Sequence, residues 1–195
     1  MRRDVLWAPW DAPGLEHLRL DVDDGVIRAD GAIIGLSEGQ AFRVGYQVSC
    51  DATWRVREAQ IVTSQPGVYS LRLRADGVGR WTTESAEPLP ALDGCVDIDL
   101  SATPFTNTLP IQRLGLQPEE SAEIAVVYID APSLEVIPVR QRYTCLARSP
   151  DGGRYRFESL PYPALPEGFL AEFSVDADGL VEDYPPLFHR MWRDA

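Results

Sequence analysis

No lysine occurs in this sequence. Its 18 basic residues are all arginine and face 30 aspartates and glutamates, which sets the formal net charge at −12. An acidic excess of that size repels phosphate backbones and anionic lipid surfaces, so nucleic acid is not an expected partner. Any cation that meets a ligand here is a planar, multi-donor guanidinium. Cysteine is scarce as well. Cys50, Cys95 and Cys145 are odd in number and widely spaced, which matches neither a disulfide framework nor a zinc site. Their apolar neighbours make buried, unpaired thiols the expectation, and a reducing compartment suits them.

Other absences narrow the function. The two histidines, His17 and His189, lie near the chain ends, and no His/Cys cluster has metal-ligand spacing. No HExxH, GxGxxG or GxxxxGK[ST] string is present. Asp21, Asp23 and Asp24 match part of a calcium loop but lack its terminal glutamate. No catalytic residue, metal or cofactor is therefore assigned. No apolar run approaches the roughly 18 residues that span a bilayer, and the first residues lack a signal-peptide core. A cytoplasmic protein is the expectation.

What is present is alternation. Leu18 to Val22, Phe42 to Val44, Tyr46 to Val48 and Tyr69 to Arg74 alternate apolar and polar side chains, which puts one strand face on a core and the other in water. Asp24-Gly25, Asp30-Gly31, Asp76-Gly77 and Asp178-Gly179 read as tight turns between strands. Helical candidates are few: one turn over Pro118 to Ser121 and a short C-terminal helix over Pro186 to Trp192. The fold class expected is all-β, as one domain over residues 1–195 with at most one or two short helices.

Two stretches share an order of features. Tyr46 to Cys50, Trp54-Arg55-Val56, Gly67, Asp76-Gly77 and Trp81 form one series. Gln141 to Cys145, Tyr155-Arg156-Phe157, Gly168, Asp178-Gly179 and Tyr184 form the other. Two related β-meander halves over about 40–85 and 138–185 are the hypothesis, although β proteins also reuse turn chemistry without duplication.

The most unusual segment runs from Leu92 to Leu114. On a strand, Val96, Ile98 and Leu100 share one face, and Asp97 and Asp99 share the other. Two like charges on one face need exposure, hydrogen bonds or a cation, and Arg113 is the candidate partner by chain return. Asp97, Asp99, Thr106, Asn107 and Arg113 compose a polar group suited to sugar hydroxyls or a carboxylate. The plainer reading is a solvated strand face with a turn capped by its own hydroxyls and amides. The two aspartates also allow an acid/base pair, since residues two apart on a strand are about 7 Å apart, which overlaps the spacing of inverting glycosidases.

A second candidate is Gln141-Arg142-Tyr143. Gln141 and Tyr143 share one strand face, and Arg140 and Arg142 the other. An arginine near a tyrosine suits a sugar ring, whereas a half-buried strand with its tyrosine in the core is the plainer reading. Trp54, after a turn-like step, is either core or the lining of a cavity mouth.

Asp93 to Leu100, followed by Thr103 to Ile111, resembles the core of the bacterial family described as putative glycolipid-binding. Tyr46 to Trp54, Gln141 to Tyr143, and Val175 to Val181 with Asp183-Tyr184-Pro185 are similar to its framing pieces. The resemblance spans nearly the whole chain. It implies a many-stranded rolled antiparallel sheet or half-barrel around a hydrophobic cleft, similar to the lipoprotein carriers of the bacterial envelope, and it supplies no catalytic residues. The expectation is a binding protein for a small amphiphilic, glycolipid-like molecule. The cleft would carry a polar mouth of Arg113, Arg142, Asp97, Asp99, Thr106 and Asn107, with Gln141, Tyr143 and Trp54 also at the site. A hydrolase of sugar or acyl compounds using the aspartate pair, or a protein-interaction domain, are the alternatives.

Overall fold

A computed structural model describes residues 1–64, 67–161 and 168–194. Strands β1 (Arg2–Pro9), β2 (Gly14–Asp23), β3 (Val26–Ser37), β4 (Gln40–Asp51), β5 (Val56–Ser64), β6 (Val68–Ala75) and β7 (Trp81–Thr83) pair in succession as an antiparallel meander. The second run comprises β8 (Asp97–Leu100), β9 (Ser121–Ile129), β10 (Val136–Ser149), β11 (Gly152–Ser159), β12 (Leu170–Asp176), β13 (Val181–Tyr184) and β14 (Phe188–Arg193). β14 pairs with β1, so the two terminal strands join both runs into one 14-stranded sheet running from β7 through β1 and β14 to β8. All neighbours are antiparallel except β8 and β9. The fold is all-β, as alternation implied.

The side-chain period of two sorts the faces. On β4, Phe42, Val44, Tyr46, Val48 and Cys50 are buried and the residues between them are not. On β2 the inward set is Glu16, Leu18 and Leu20. β7 and β8 are not paired with each other, so the sheet is not closed into a barrel. Its ends nevertheless meet: Gly94 N–H donates to the Gly79 carbonyl (2.8 Å), and the Trp81 indole donates to the Cys95 carbonyl (2.7 Å). The sheet is thereby rolled, with two apolar clusters facing inward, one built mainly from β1 to β7 and the central segment, the other from β10 to β13. The three thiols are buried and unpaired. No helix among the described residues is long and apolar enough to cross a membrane.

Several local expectations are corrected. Pro186 to Trp192 is not helical: Phe188–Arg193 is strand, because β1 and β13 offer it backbone partners on both sides. Pro118 to Ser121 is a non-helical turn, closed by Glu120 N–H donating to the Gln117 carbonyl. Asp30-Gly31 is no turn either, for it lies in the middle of β3. Gly31 sits directly across from Tyr46, whose ring folds over it, and a Cβ there would overlap the ring. Gly31→Ala is therefore expected to cost about 1–3 kcal/mol by overpacking, read as a lower urea midpoint. An unchanged midpoint would mean that the Tyr46 ring has room to move.

The segments 40–85 and 138–185 each run as four consecutive antiparallel strands, β4 to β7 and β10 to β13. Cys50 and Cys145 both sit at register shifts, in the β4–β5 and β10–β11 pairings. Residues 65–66 and 162–167 of these segments lie outside the described residues. On that shared order rests our proposal that the two are related halves.

Candidate functional site

The central segment fills the roll rather than leaving it hollow. After β8 the chain makes a 3-10 turn, Phe105–Asn107, and then the one α-helix among the described residues, α1 (Thr108–Leu114). Thr103 Oγ1 accepts the Phe105 N–H (3.0 Å), as a helix-capping hydroxyl does, and Gly115 ends α1 in the left-handed conformation. Phe105, Thr108 and Leu109 are fully buried. Thr108 Oγ1 donates to the Gly179 carbonyl (2.9 Å) and Gln112 Nε2 to the Asp178 carbonyl (2.7 Å), which docks α1 on the β12–β13 turn.

This plug separates the two aspartates of β8. Asp97 is fully buried and takes a two-pronged contact from Arg113: Nε to Oδ1 (3.1 Å) and Nη2 to Oδ2 (2.5 Å). Arg113 is thus the cation that the paired charges require, but it is committed to Asp97. Burial raises the Asp97 carboxyl above its ordinary range, while the Arg113 hydrogen bond and charge pull it down. Asp99 has no such partner. Its Oδ2 accepts from Gln141 Nε2 (2.5 Å) and its Oδ1 from Thr106 Oγ1 (3.3 Å), and no ion pair among the described residues includes it. Burial raises this carboxyl too, against the pull of the Gln141 and Thr106 hydrogen bonds.

Asp99 opens on a cleft of about 300 Å³. Its polar lining is Asp99, Ser101, Thr103, Asn107, Gln141 and Ser159, and its walls include Tyr128, Val139, Phe157, Phe169, Tyr184, Leu187 and Phe188. Phe157, Phe169 and Tyr184 form a mutual cluster with ring centroids 6.1–6.5 Å apart. Asn107 is spent on the protein itself: its Nδ2 donates to the Pro104 carbonyl, and its Oδ1 accepts the Tyr143 hydroxyl (2.9 Å). Gln141, only 2% exposed, keeps its Oε1 without a hydrogen-bond partner among the described residues. Burial, with the Asp99 charge next, raises the Tyr128 and Tyr184 phenols.

The structure therefore brings Asp99, Thr106, Asn107, Gln141 and Tyr143 together and places Asp97 and Arg113 beside one another outside the cleft lining. It does not bring Arg142 to them. Arg142 points from the opposite face of β10, paired with Glu123 (2.5 Å) and Glu158 (3.4 Å). Trp54 is also elsewhere, at positive φ in the β4–β5 turn and packed on the larger apolar cluster. Two carboxyls of β8 converging in a cleft, as the hydrolase alternative needs, are not found, since only Asp99 lines it. No group of three His, Cys, Asp or Glu among the described residues is placed to hold a metal ion.

Sequence reasoning missed Glu16. It is 3% exposed on β2, and its Oε1 accepts from the Tyr46 hydroxyl (2.5 Å) and from Thr103 Oγ1 (2.7 Å). Its Oε2 is buried without a partner among the described residues, and burial pushes the carboxyl up to about 7. The signal was available, because Glu16 falls in step with Leu18 and Leu20. Thr103 links this buried acid to the cleft that it lines.

The model of the family described as putative glycolipid-binding matches residues 4–190. A crystal structure of a DUF1089 family protein from Pseudomonas aeruginosa is similar over 94% of this chain and 95% of that one, at 40% identity and a TM-score of 0.80. No curated protein matches the chain. With nearly its whole length matched, this chain belongs to the putative glycolipid-binding family.

Proposed function

We propose that this protein is a binding protein whose ligand is a small amphiphile held in the Asp99 cleft. The observation that carries this reading is one concavity that pairs an aromatic wall, Phe157, Phe169 and Tyr184, with a floor of hydrogen-bonding groups, Asp99 and Gln141. Ligand sites combine these two features: apolar walls supply most of the burial, and a few placed polar groups fix orientation. At about 300 Å³ the cleft sits at the small end of such sites, so it takes a head group and a short stretch of chain. The family description supports a sugar-like head, whose hydroxyls would donate to the floor and whose ring would lie on the aromatic wall. Cytoplasmic residence belongs to the same reading, because three buried unpaired thiols suit a reducing compartment.

Octyl glucoside, titrated calorimetrically below its micelle concentration, tests the reading together with solvent extraction of the purified protein. Binding is expected, and Phe169→Ala is expected to weaken it about tenfold by removing one wall of the cleft. No copurifying amphiphile and no heat from octyl glucoside or from its charged eight-carbon counterparts would together overturn it.

A further inference from the structure

We infer that the head group taken by this cleft carries a protonated primary amine. The inference rests on the binding reading above and specifies its ligand class. It starts from what the lining can still offer a guest. Arg113 is committed to Asp97, Arg142 faces away, and no arginine lines the cleft among the described residues. Asn107 has both amide atoms engaged, and Thr103 donates to Glu16. Among the described residues two groups that can only accept remain without a full complement, the Asp99 carboxylate, which has no cation, and Gln141 Oε1, which has no partner, beside the Ser159 and Tyr184 hydroxyls, which can donate or accept.

A surplus of acceptors selects a donor, and a lone carboxylate selects a positive one. A buried carboxylate is costly until a cation joins it. The cleft supplies the second half of a cation site in the rings of Phe157, Phe169 and Tyr184 that line it, since aromatic faces attract positive charge. A primary ammonium satisfies both features, its N–H groups serving Asp99 and Gln141. A quaternary ammonium has no N–H and would leave Gln141 Oε1 bare. A neutral sugar would hydrogen-bond but leave the carboxylate uncompensated. Burial already disfavours ionised Asp99, and an ammonium would shift it back toward the ionised form. The overall charge of −12 draws cations toward the protein before they reach the cleft.

Three probes with one tail separate the possibilities: octylammonium, octyltrimethylammonium and octyl glucoside, each titrated calorimetrically into the full chain below its micelle concentration. Octylammonium is expected to bind at least about tenfold more tightly than either of the others, the scale of a charge-assisted hydrogen bond. Asp99→Asn is expected to narrow that gap to less than about threefold, which separates the cleft from general attraction to an acidic surface. Should Asp99→Asn fail to fold, Ser159→Arg serves instead, because it supplies from the cleft wall the cation that the site lacks and is expected to remove the ammonium's advantage. Equal affinities for octylammonium and octyl glucoside would overturn the inference while leaving the binding reading intact. An ammonium preference that survives both substitutions would also overturn it. Binding of none of the three would overturn both.

Discussion

Replacing Arg113 by methionine is expected to destabilise the protein by roughly 3–5 kcal/mol, the cost of leaving a buried charge without its partner. Asp97 is fully buried, and both of its oxygens are held by the Arg113 guanidinium at 3.1 and 2.5 Å. Methionine keeps an unbranched stem but removes the charge and both hydrogen bonds. The carboxyl must then ionise without compensation or take up a proton, and either course costs the folded state. The double substitution Arg113→Met with Asp97→Asn removes the charge problem and is expected to recover most of the loss, ending within about 1–2 kcal/mol of the parent. Urea unfolding followed by tryptophan fluorescence measures all three variants. If Arg113→Met and the double variant lose the same stability, the pair is not what holds the helix against β8, and the packing of the Arg113 stem becomes the explanation.

That pair also marks how far the sequence could be read. Two aspartates on one strand face must be paired, bonded or exposed, and the return of the chain at Arg113 offered the partner. Which aspartate would receive it was not legible, because the answer depends on how α1 docks on the β12–β13 turn, through contacts 66 and 71 residues apart in sequence. Alternation told β2, β4, β6 and β10, where polar and apolar side chains take turns along the strand. It failed for β14, which has no buried residue and no alternation of burial, and whose strand character comes from its neighbours β1 and β13. It failed in the opposite sense for Asp30-Gly31, where turn chemistry stands in mid-strand because an aromatic ring needs the space.

The helix carried signals that were there to be used. Thr103-Pro104 is a capping hydroxyl followed by proline, and Gly115 is a common stop. The same alternation that put Gln141 and Tyr143 on one face put Arg142 on the other, so its separation from them follows from the pleat. The cleft itself had no sequence signal. Its walls come from β9, β10, β11, β13, the start of β14 and the chain before β12, and no local period reports that Phe157, Phe169 and Tyr184 will meet across that distance.

Glu16 provides the other large effect, and its sign follows from the direction of its shift. In the unfolded chain the carboxyl titrates near 4.5, and in the fold it is pushed up to about 7 by burial, against the pull of the Tyr46 and Thr103 hydrogen bonds. Below about pH 4.5 both states are protonated and the group costs nothing. Between about 4.5 and 7 the unfolded chain has released the proton that the folded protein retains, so stability falls as pH rises. Above that window the loss is complete and amounts to about 3 kcal/mol. Asp99 and Asp97 shift in the same direction, whereas Asp4, Asp51, Glu58, Asp76, Glu123 and Glu172 are lowered and contribute stability that is lost in acid instead. The parent profile therefore mixes both signs, and the difference between parent and Glu16→Gln isolates one group. Glutamine keeps an oxygen for Tyr46 and Thr103 and cannot ionise. The variant is expected to match the parent near pH 4 and to exceed it by up to about 3 kcal/mol near pH 8. Parallel profiles for parent and variant across that range would show that Glu16 already has a compensating partner, and the bare Oε2 would then need a bound water or a cation to explain it.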